Sequence, residues 1–456
     1  MTVQLDYQNV LAERVGARHG VTKKELADAA RKAKSLHENL QGRRQRGELG
    51  FFDVHHDKAV ITAVEQFARD VRPHITTYVH LGIGGSSLGP IVLHRALGGP
   101  WLRKPGPRML FCENTDPETL GQTLDQVDWG RTLFNVVSKS GGTAETLAAF
   151  AIFYKEAVKR LGEADARKCF VLTTDPHKGY LRELAGLGFP SFPIPPNVGG
   201  RFSVFSAVGL IPAAIEGLPI KRLLSGVEVM ARRCGSDDLL NNPAYLNAAL
   251  HYLADTRKGK KISVMMSYCD ALVTVAEWYR QLWAESLGKA VDNKGRRVHC
   301  GQTPIKAQGA QDQHSQVQLY QEGPNDKIFT FLRVERFRRR FNIPPLPQAK
   351  EARIRLLRGV RLGDLFNIEQ QATAFALTEA GRPNVTFRLD AVTPENVGGL
   401  LYLLQVQTAF AGELYDINAF DQPGVEHGKR AIYALLGEKT PEAEKLRQAI
   451  RQAEGR

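Results

Sequence analysis

Cysteine is scarce and unpaired. The five in 456 residues (Cys112, Cys169, Cys234, Cys269 and Cys300) are scattered, odd in number and never spaced Cys-x-x-Cys, which excludes a disulfide framework and a cysteine-held zinc site. Long apolar runs are missing too. Nowhere do roughly eighteen apolar residues follow one another, so no membrane span is expected. Residues 1–20 carry charges throughout and lack the apolar stretch of a secretory leader, which leaves the cytoplasm as the expected compartment. Also absent are the G-x-x-x-x-G-K-[ST] phosphate loop, the H-E-x-x-H metal motif and the G-x-G-x-x-G dinucleotide fingerprint. Neither a metal nor a redox cofactor is therefore expected. The adjacent pair His55-His56 does not change this, because neighbouring residues seldom converge on one ion.

What is present is ordinary globular composition, 43% hydrophobic and 24% charged, on a chain long enough for large cores. The balance is basic, with 61 Lys and Arg against 48 Asp and Glu, a net +13. Such a charge suits nucleic acid, an anionic membrane or small anionic substrates. The densest runs, Arg43-Arg44-Gln45-Arg46 and Arg336-Phe337-Arg338-Arg339-Arg340, are short and sit in no nucleic-acid-binding motif. They read as solvated faces or partner contacts, and no nucleic-acid partner is expected.

Along the chain, residues 1–48 read as a helical segment. Thr22-Lys23-Lys24-Glu25 has the spacing of a capping box, and Leu26, Ala29, Ala33, Leu36 and Leu40 continue one apolar stripe. From about Thr76 strands alternate with helices: Thr77–Ile83, Arg108–Cys112, Thr132–Val137 and Lys168–Thr173. Gly217–Asp238 reads as a connecting region. A second alternation follows, with strands at Lys261–Ser267, Asp326–Val334 and Asn384–Leu389 and helices at Asp270–Leu287 and Pro394–Gly412. The expected architecture is α/β, with two α/β/α sandwich domains (49–220 and 221–437) built on parallel-rich sheets and a polar tail helix in 438–456.

Chemistry concentrates where strands end. Ser138-Lys139-Ser140-Gly141-Gly142-Thr143-Ala144-Glu145-Thr146 follows one strand and opens a helix near Thr143. Free amides at a helix start, the positive dipole end and three hydroxyls make an anion site, and glycines allow close approach. Gly82-Ile83-Gly84-Gly85-Ser86 could meet the same ligand, or be a tight turn packing a helix on a strand. Gln281 and Glu285 share one helical face. Glu285 falls in its helix's last turn, an electrostatic setting suited to a group that takes and returns a proton. Gly199-Gly200-Arg201 could deliver a guanidinium to a developing oxyanion, or be a loop arginine in a salt bridge. His314 is one of twelve histidines, and Lys429 could simply pair with Glu426.

Taken together and in order, these strings resemble the glucose-6-phosphate isomerase family. Gly199-Gly200-Arg201-Phe202-Ser203 resembles one of its signatures. The segment from Gly412 to Lys429, with Phe420-Asp421-Gln422 and Gly424-Val425-Glu426, resembles the other. Pro196 departs from the small or acidic residue usual in the family and bears on how its loop approaches a ligand. The resemblance implies two sugar-isomerase (SIS) domains, a homodimer, no metal, and reversible interconversion of glucose 6-phosphate and fructose 6-phosphate in glycolysis and gluconeogenesis. It implies that Ser86, Ser138, Ser140, Thr143 and the amide of Lys139 hold the phosphate, with Gly85 also against the substrate. Glu285 would be the general base, Arg201 would stabilise a cis-enediolate, and Lys429 with His314, reaching from the partner subunit, would open the sugar ring. Glu145, Gly200, Gln281 and Gln422 would line the site. Two rivals remain: a SIS-fold sensor that binds a sugar phosphate without turnover, and an isomerase acting also on mannose 6-phosphate.

Overall fold

The computed structural model describes residues 3–102, 106–348 and 350–454. In chain order its strands are β1 (Val3–Asp6), β2 (Thr77–Leu81), β3 (Arg108–Cys112), β4 (Thr132–Ser138), β5 (Phe170–Thr174), β6 (Ser191–Pro193), β7 (Ile262–Tyr268), β8 (Lys289–Val291), β9 (Arg297–Cys300), β10 (Thr303–Gln308), β11 (Lys327–Arg336) and β12 (Asn384–Ala391). They form one sheet ordered β3-β2-β4-β5-β6, a second ordered β1-β12-β11-β7-β10, and a small β8-β9 ribbon. The first sheet is parallel throughout, and the second is parallel apart from β1. Every residue of β2, β4 and β5 is buried. A parallel strand covered by helices on both faces is mostly apolar on both, and the polar side chains these strands do carry are paired: the Tyr78 hydroxyl lies 3.1 Å from His80 Nδ1 and accepts from Asn135 Nδ2 at 2.9 Å. In register, Leu81 lies opposite Val136 and Ser138 opposite Thr174, so the carboxyl ends of β2, β4 and β5 open together.

The helix Pro394–Tyr415 is buried from Asn396 to Glu413. It is apolar nearly all round, as a helix at the centre of a large molecule must be. A Cβ on Gly398 would fall 2.3 Å from the Leu223 carbonyl oxygen, and one on Gly226 would fall 2.0 Å from that of Glu395. The two backbones therefore touch where this helix crosses the helix Ile220–Arg233. Its internal glutamines are tied: Gln405 Nε2 donates to Phe202 O at 3.0 Å, and Gln407 Nε2 to the Tyr279 hydroxyl at 3.2 Å. One hydrophobic core runs from Val3 and Leu93 through Leu210 and Leu272 to Leu401, joining both sheets.

The α/β reading holds, as does the capping box: Thr22 N donates to Glu25 Oε2 at 2.8 Å and Glu25 N to Thr22 Oγ1 at 3.2 Å. The tail helix spans Pro441–Ala453. Three features differ from expectation. The first residues hold β1, which pairs antiparallel with β12; four residues carry too little alternation to announce a strand. The expected connector is the helix Ile220–Arg233, whose buried Leu223, Leu224, Val227 and Met230 lie at helical spacing, its glycine serving close packing rather than a break. Finally, β10 carries Pro304 and Lys306 and is legible only as the sheet edge it occupies, where a missing N–H is tolerated.

Candidate active site

The hydroxyl loop sits where β4 ends. Ser138 is buried and Thr143 stands at the N-cap of the helix Ala144–Leu161. The three hydroxyls converge: Ser138 Oγ is 2.8 Å from Thr143 Oγ1 and 3.3 Å from Ser140 Oγ, and Ser140 Oγ is 3.3 Å from Thr143 Oγ1. Gly141 has φ +67°, a conformation open to glycine at little cost. Lys139 turns away from the loop and donates to Pro196 O at 2.7 Å. Burial lowers its ammonium from the ordinary lysine value, against the pull of Asp175. Pro196 thus supplies a carbonyl that anchors a lysine, and its own loop lines the same space.

Two further turns close on each other beside this loop. A Cβ on Gly85 would lie 2.4 Å from Gly200 C and 2.6 Å from Arg201 N, so the Gly84–Ser86 turn after β2 and the Gly200–Phe202 turn pack backbone to backbone. Ser203 Oγ lies 2.7 Å from Gly200 O and 3.3 Å from Gly85 O, bridging them. Arg201 is 3% exposed. Its Nε donates to Ser286 Oγ at 2.7 Å, Nη2 to Ala419 O at 2.7 Å and to Asp421 O at 3.1 Å, and Nη1 to Gln422 Oε1 at 3.1 Å. Burial lowers its guanidinium from the usual arginine value, while Glu285 and Asp421 oppose that shift; it stays charged.

Glu285 occupies the last turn of the helix Val273–Leu287. Its Oε2 accepts from Gln281 Nε2 at 2.9 Å, and its Oε1 lies 3.3 Å from Arg201 Nη1. Below it, buried Lys289 donates to Glu285 O at 3.0 Å, Ser286 O at 2.9 Å and Asp421 O at 2.9 Å. Lys289 thus ties the end of this helix to the segment carrying Gln422. The carboxylate is consequently fixed by a neighbour on each oxygen, and 27% of its side chain remains open.

These groups surround one cavity of about 710 Å³, lined by Gly85, Ser86, Lys139, Ser140, Thr143, Gly200, Arg201, Gln281, Glu285, Gln422 and Lys429. Three predicted residues are not on its wall. Ser138 lies behind Thr143 as its hydrogen-bond partner. Glu145 is half-buried in the first turn of its helix. His314 ends the turn Gln311–His314, exposed, with Glu369 as a charged neighbour. Lys429 does pair with Glu426, at 2.8 Å, while also facing the cavity. The sequence reading missed Asp175, His177 and Lys178, which line the cavity just past β5. Their one sequence signal was position, beyond the strand adjacent to β4 in a parallel sheet. Lys139, Lys178, Arg201 and Lys429 outnumber Asp175 and Glu285 on the wall, so the cavity favours an anion.

The sequence model of the phosphoglucose isomerase family matches residues 61–336 and 362–447. The chain belongs to that family. Every predicted site residue falls inside the matched stretches, whereas the run Arg338-Arg339-Arg340 falls between them. The chain is 45% identical to the glucose-6-phosphate isomerase of Carboxydothermus hydrogenoformans, over 96% of this chain and 95% of that one. It is 43% identical to that of Rubrobacter xylanophilus, over 95% and 98%. Among solved structures, the hypothetical protein TT0462 from Thermus thermophilus superposes with a TM-score of 0.86 at 36% identity, covering 96% of this chain and all of that one.

Proposed function

We propose that this phosphoglucose isomerase family member interconverts glucose 6-phosphate and fructose 6-phosphate by moving one proton between adjacent carbons. The observation that carries the reading is the Glu285–Arg201 pair, 3.3 Å apart, facing the cavity that also holds the Ser140 and Thr143 hydroxyls. The phosphate sits at the start of the helix Ala144–Leu161, bonded by Ser86, Ser140, Thr143 and the amide of Lys139. Ser138 orients Thr143 from behind. Lys139 and Lys178 add positive charge.

With the phosphate anchored, carbons 1 and 2 of the open-chain sugar lie beneath Glu285. Its carboxylate takes the proton from carbon 2; the C–H electrons form the carbon 1–carbon 2 double bond and push charge onto oxygen 1. The Arg201 guanidinium stabilises that enediolate charge. The hydroxyl proton of oxygen 2 passes to oxygen 1, and Glu285 returns its proton to carbon 1, so that the double-bond electrons form the new C–H bond and the carbonyl is left at carbon 2. Gln281 holds the base and Gln422 the guanidinium. The step transfers a proton and no net electrons, so its chemistry calls for an acid–base pair and an oxyanion partner.

Ring opening falls to Lys429 and to His314 of a second copy, with Glu145 nearby. His314 lies outside its own subunit's cavity, and exposed Leu319, Ile368 and Phe375 stand on the helices around it, an apolar surface suited to a homodimer contact. We divide the chain into an N-terminal segment, SIS domains at 49–220 and 221–437, and a tail. Among the described residues no helix is long and apolar enough to cross a membrane, and the cytoplasm is the proposed compartment.

The test offers fructose 6-phosphate to the purified chain and measures glucose 6-phosphate and mannose 6-phosphate separately. Glucose 6-phosphate alone is the expected product. Both products would mean a broader isomerase, and tight binding without turnover would replace the reading with that of a sensor.

A further inference from the structure

Adjacent residues usually direct their side chains apart, but His55 and His56 do not. Both lie in the turn Val54–His56, with ring centroids 3.9 Å apart and planes tilted by 43°. Both approach one oxygen of Glu228, on the helix Ile220–Arg233: His56 Nε2 is 2.7 Å from Oε2 and His55 Nε2 is 3.4 Å from it. One ligand atom from each of the three residues lies within 4.8 Å of the others. Arg232 holds the other carboxylate oxygen, Oε1, at 2.9 Å, which leaves Oε2 for the histidines.

His55 is the unexplained member. It is only 5% exposed, and neither of its ring nitrogens has a hydrogen-bond partner; the approach to Glu228 lacks the alignment of a hydrogen bond. Native structures rarely leave a buried imidazole unsatisfied without a reason. Its ring is held edge-on against Tyr402 of the central helix, at 5.6 Å. Asp53 lies behind His56, with Oδ1 3.8 Å from Nδ1, and is itself gripped by Arg44 at 2.9 Å. A carboxylate bonded to the far nitrogen is the usual outer partner of a metal-bound histidine, and at 3.8 Å Asp53 stands just beyond hydrogen-bond reach of that position.

We propose that His55 Nε2, His56 Nε2 and Glu228 Oε2 form a binding site for a divalent ion of the Zn²⁺ class, with water as the fourth ligand. Two imidazoles and one carboxylate suit Zn²⁺, Ni²⁺ or Cu²⁺ rather than Mg²⁺ or Ca²⁺. Tetrahedral Zn²⁺ with bonds of about 2.0–2.1 Å sets its ligands roughly 3.3 Å apart. The His55–Glu228 distance already matches, and rotation of the exposed His56 opens the shorter one. The site lies outside the catalytic cavity, and its histidines precede the first family-matched residue, 61. The ion would staple the turn to the helix Ile220–Arg233, which crosses the central helix at Gly226 and Gly398. Phe51, just before that turn, packs at 4.7 Å on Phe202, next to Arg201, so the staple would steady the wall of the active site.

The full-length protein, stripped with a chelator and dialysed, is titrated with Zn²⁺ by calorimetry and melted with and without the ion. One ion per chain and a raised melting temperature are expected, and Co²⁺ in its place should give the visible absorption of a tetrahedral site. His56→Gln and Glu228→Gln alter side chains at least partly open to solvent, so far-UV circular dichroism should stay native. Each should weaken Zn²⁺ binding by about tenfold or more and remove the thermal shift. Failure of the unaltered protein to bind one equivalent, or undiminished binding in both folded variants, would overturn the proposal.

Discussion

At the scale of single residues, the proposed chemistry turns on a carboxylate with one neighbour per oxygen. Gln281 donates to Oε2 and Arg201 approaches Oε1. Replacing Glu285 with Gln keeps the size and both neighbours but removes the group that accepts a proton. We expect kcat to fall by about 10²–10⁴ while the affinity for a non-reacting hexose 6-phosphate analogue, read by calorimetry, changes little. Near-normal turnover would remove Glu285 from the mechanism. The sequence pointed to this pair for different reasons. Gln281 and Glu285 are four residues apart on one helix, so their contact is local and legible. Arg201 meets Glu285, Ser286 and Gln422 only through the fold, and nothing in Gly199-Gly200-Arg201 announces that most of its donors would be used by protein oxygens. Asp175, His177 and Lys178 were illegible for the opposite reason: the segment Asp175–Lys178 looks like any surface loop until β5 is placed beside β4.

At the scale of elements, the site depends on how closely two turns approach. Any side chain at Gly85 would strike the backbone of Gly200 and Arg201 at 2.4–2.6 Å, and backbone cannot yield as a rotamer can. Gly85→Ala should therefore part the turns, costing about 1–3 kcal/mol in urea unfolding and lowering kcat as Arg201 shifts. Gly142→Ala, in the neighbouring loop, meets nothing within 4 Å and has no positive φ, so its stability should change by less than about 1 kcal/mol. If both variants behaved alike, the tight turn-on-turn packing would not be what places Arg201. Element legibility follows burial. β2, β4, β5 and β7 are almost wholly buried and stand out as stretches dominated by apolar and β-branched residues. β1, β6 and β10 sit at sheet edges or are short; their pairing is decided by neighbours far away in the chain. The helix Ile220–Arg233 hid behind Gly226 and paired charges, because a glycine at a helix crossing and a glycine in a linker look the same in sequence.

At the scale of the whole molecule, two consequences separate. The first concerns acid. His80 and His251 are fully buried, and burial lowers each imidazole to about 4. Below pH 6.5 the unfolded chain binds protons that the native state refuses, so stability must fall as pH drops from about 6.5 towards 4. Each histidine contributes at most about 3 kcal/mol. Denaturant unfolding across that window should show the decline, and His251→Asn should flatten it relative to the parent. The second concerns assembly. If His314 serves the neighbouring subunit, a dimer carrying only His314→Gln and one carrying only Glu285→Gln are each inactive at both sites. Mixing the two chains under refolding pairs half of them as heterodimers. In each heterodimer one site receives both altered residues and the other receives neither, so about a quarter of all sites regain full chemistry. If His314 served its own subunit, every heterodimer site would lack one group and mixing would restore nothing. Recovery well above the sum of the parents, measured at equal total protein, therefore distinguishes a shared active site from a private one. His314 stands exposed and off the cavity wall that Glu285 lines, the placement from which a residue could serve a neighbouring subunit rather than its own, and the mixing experiment decides between the two.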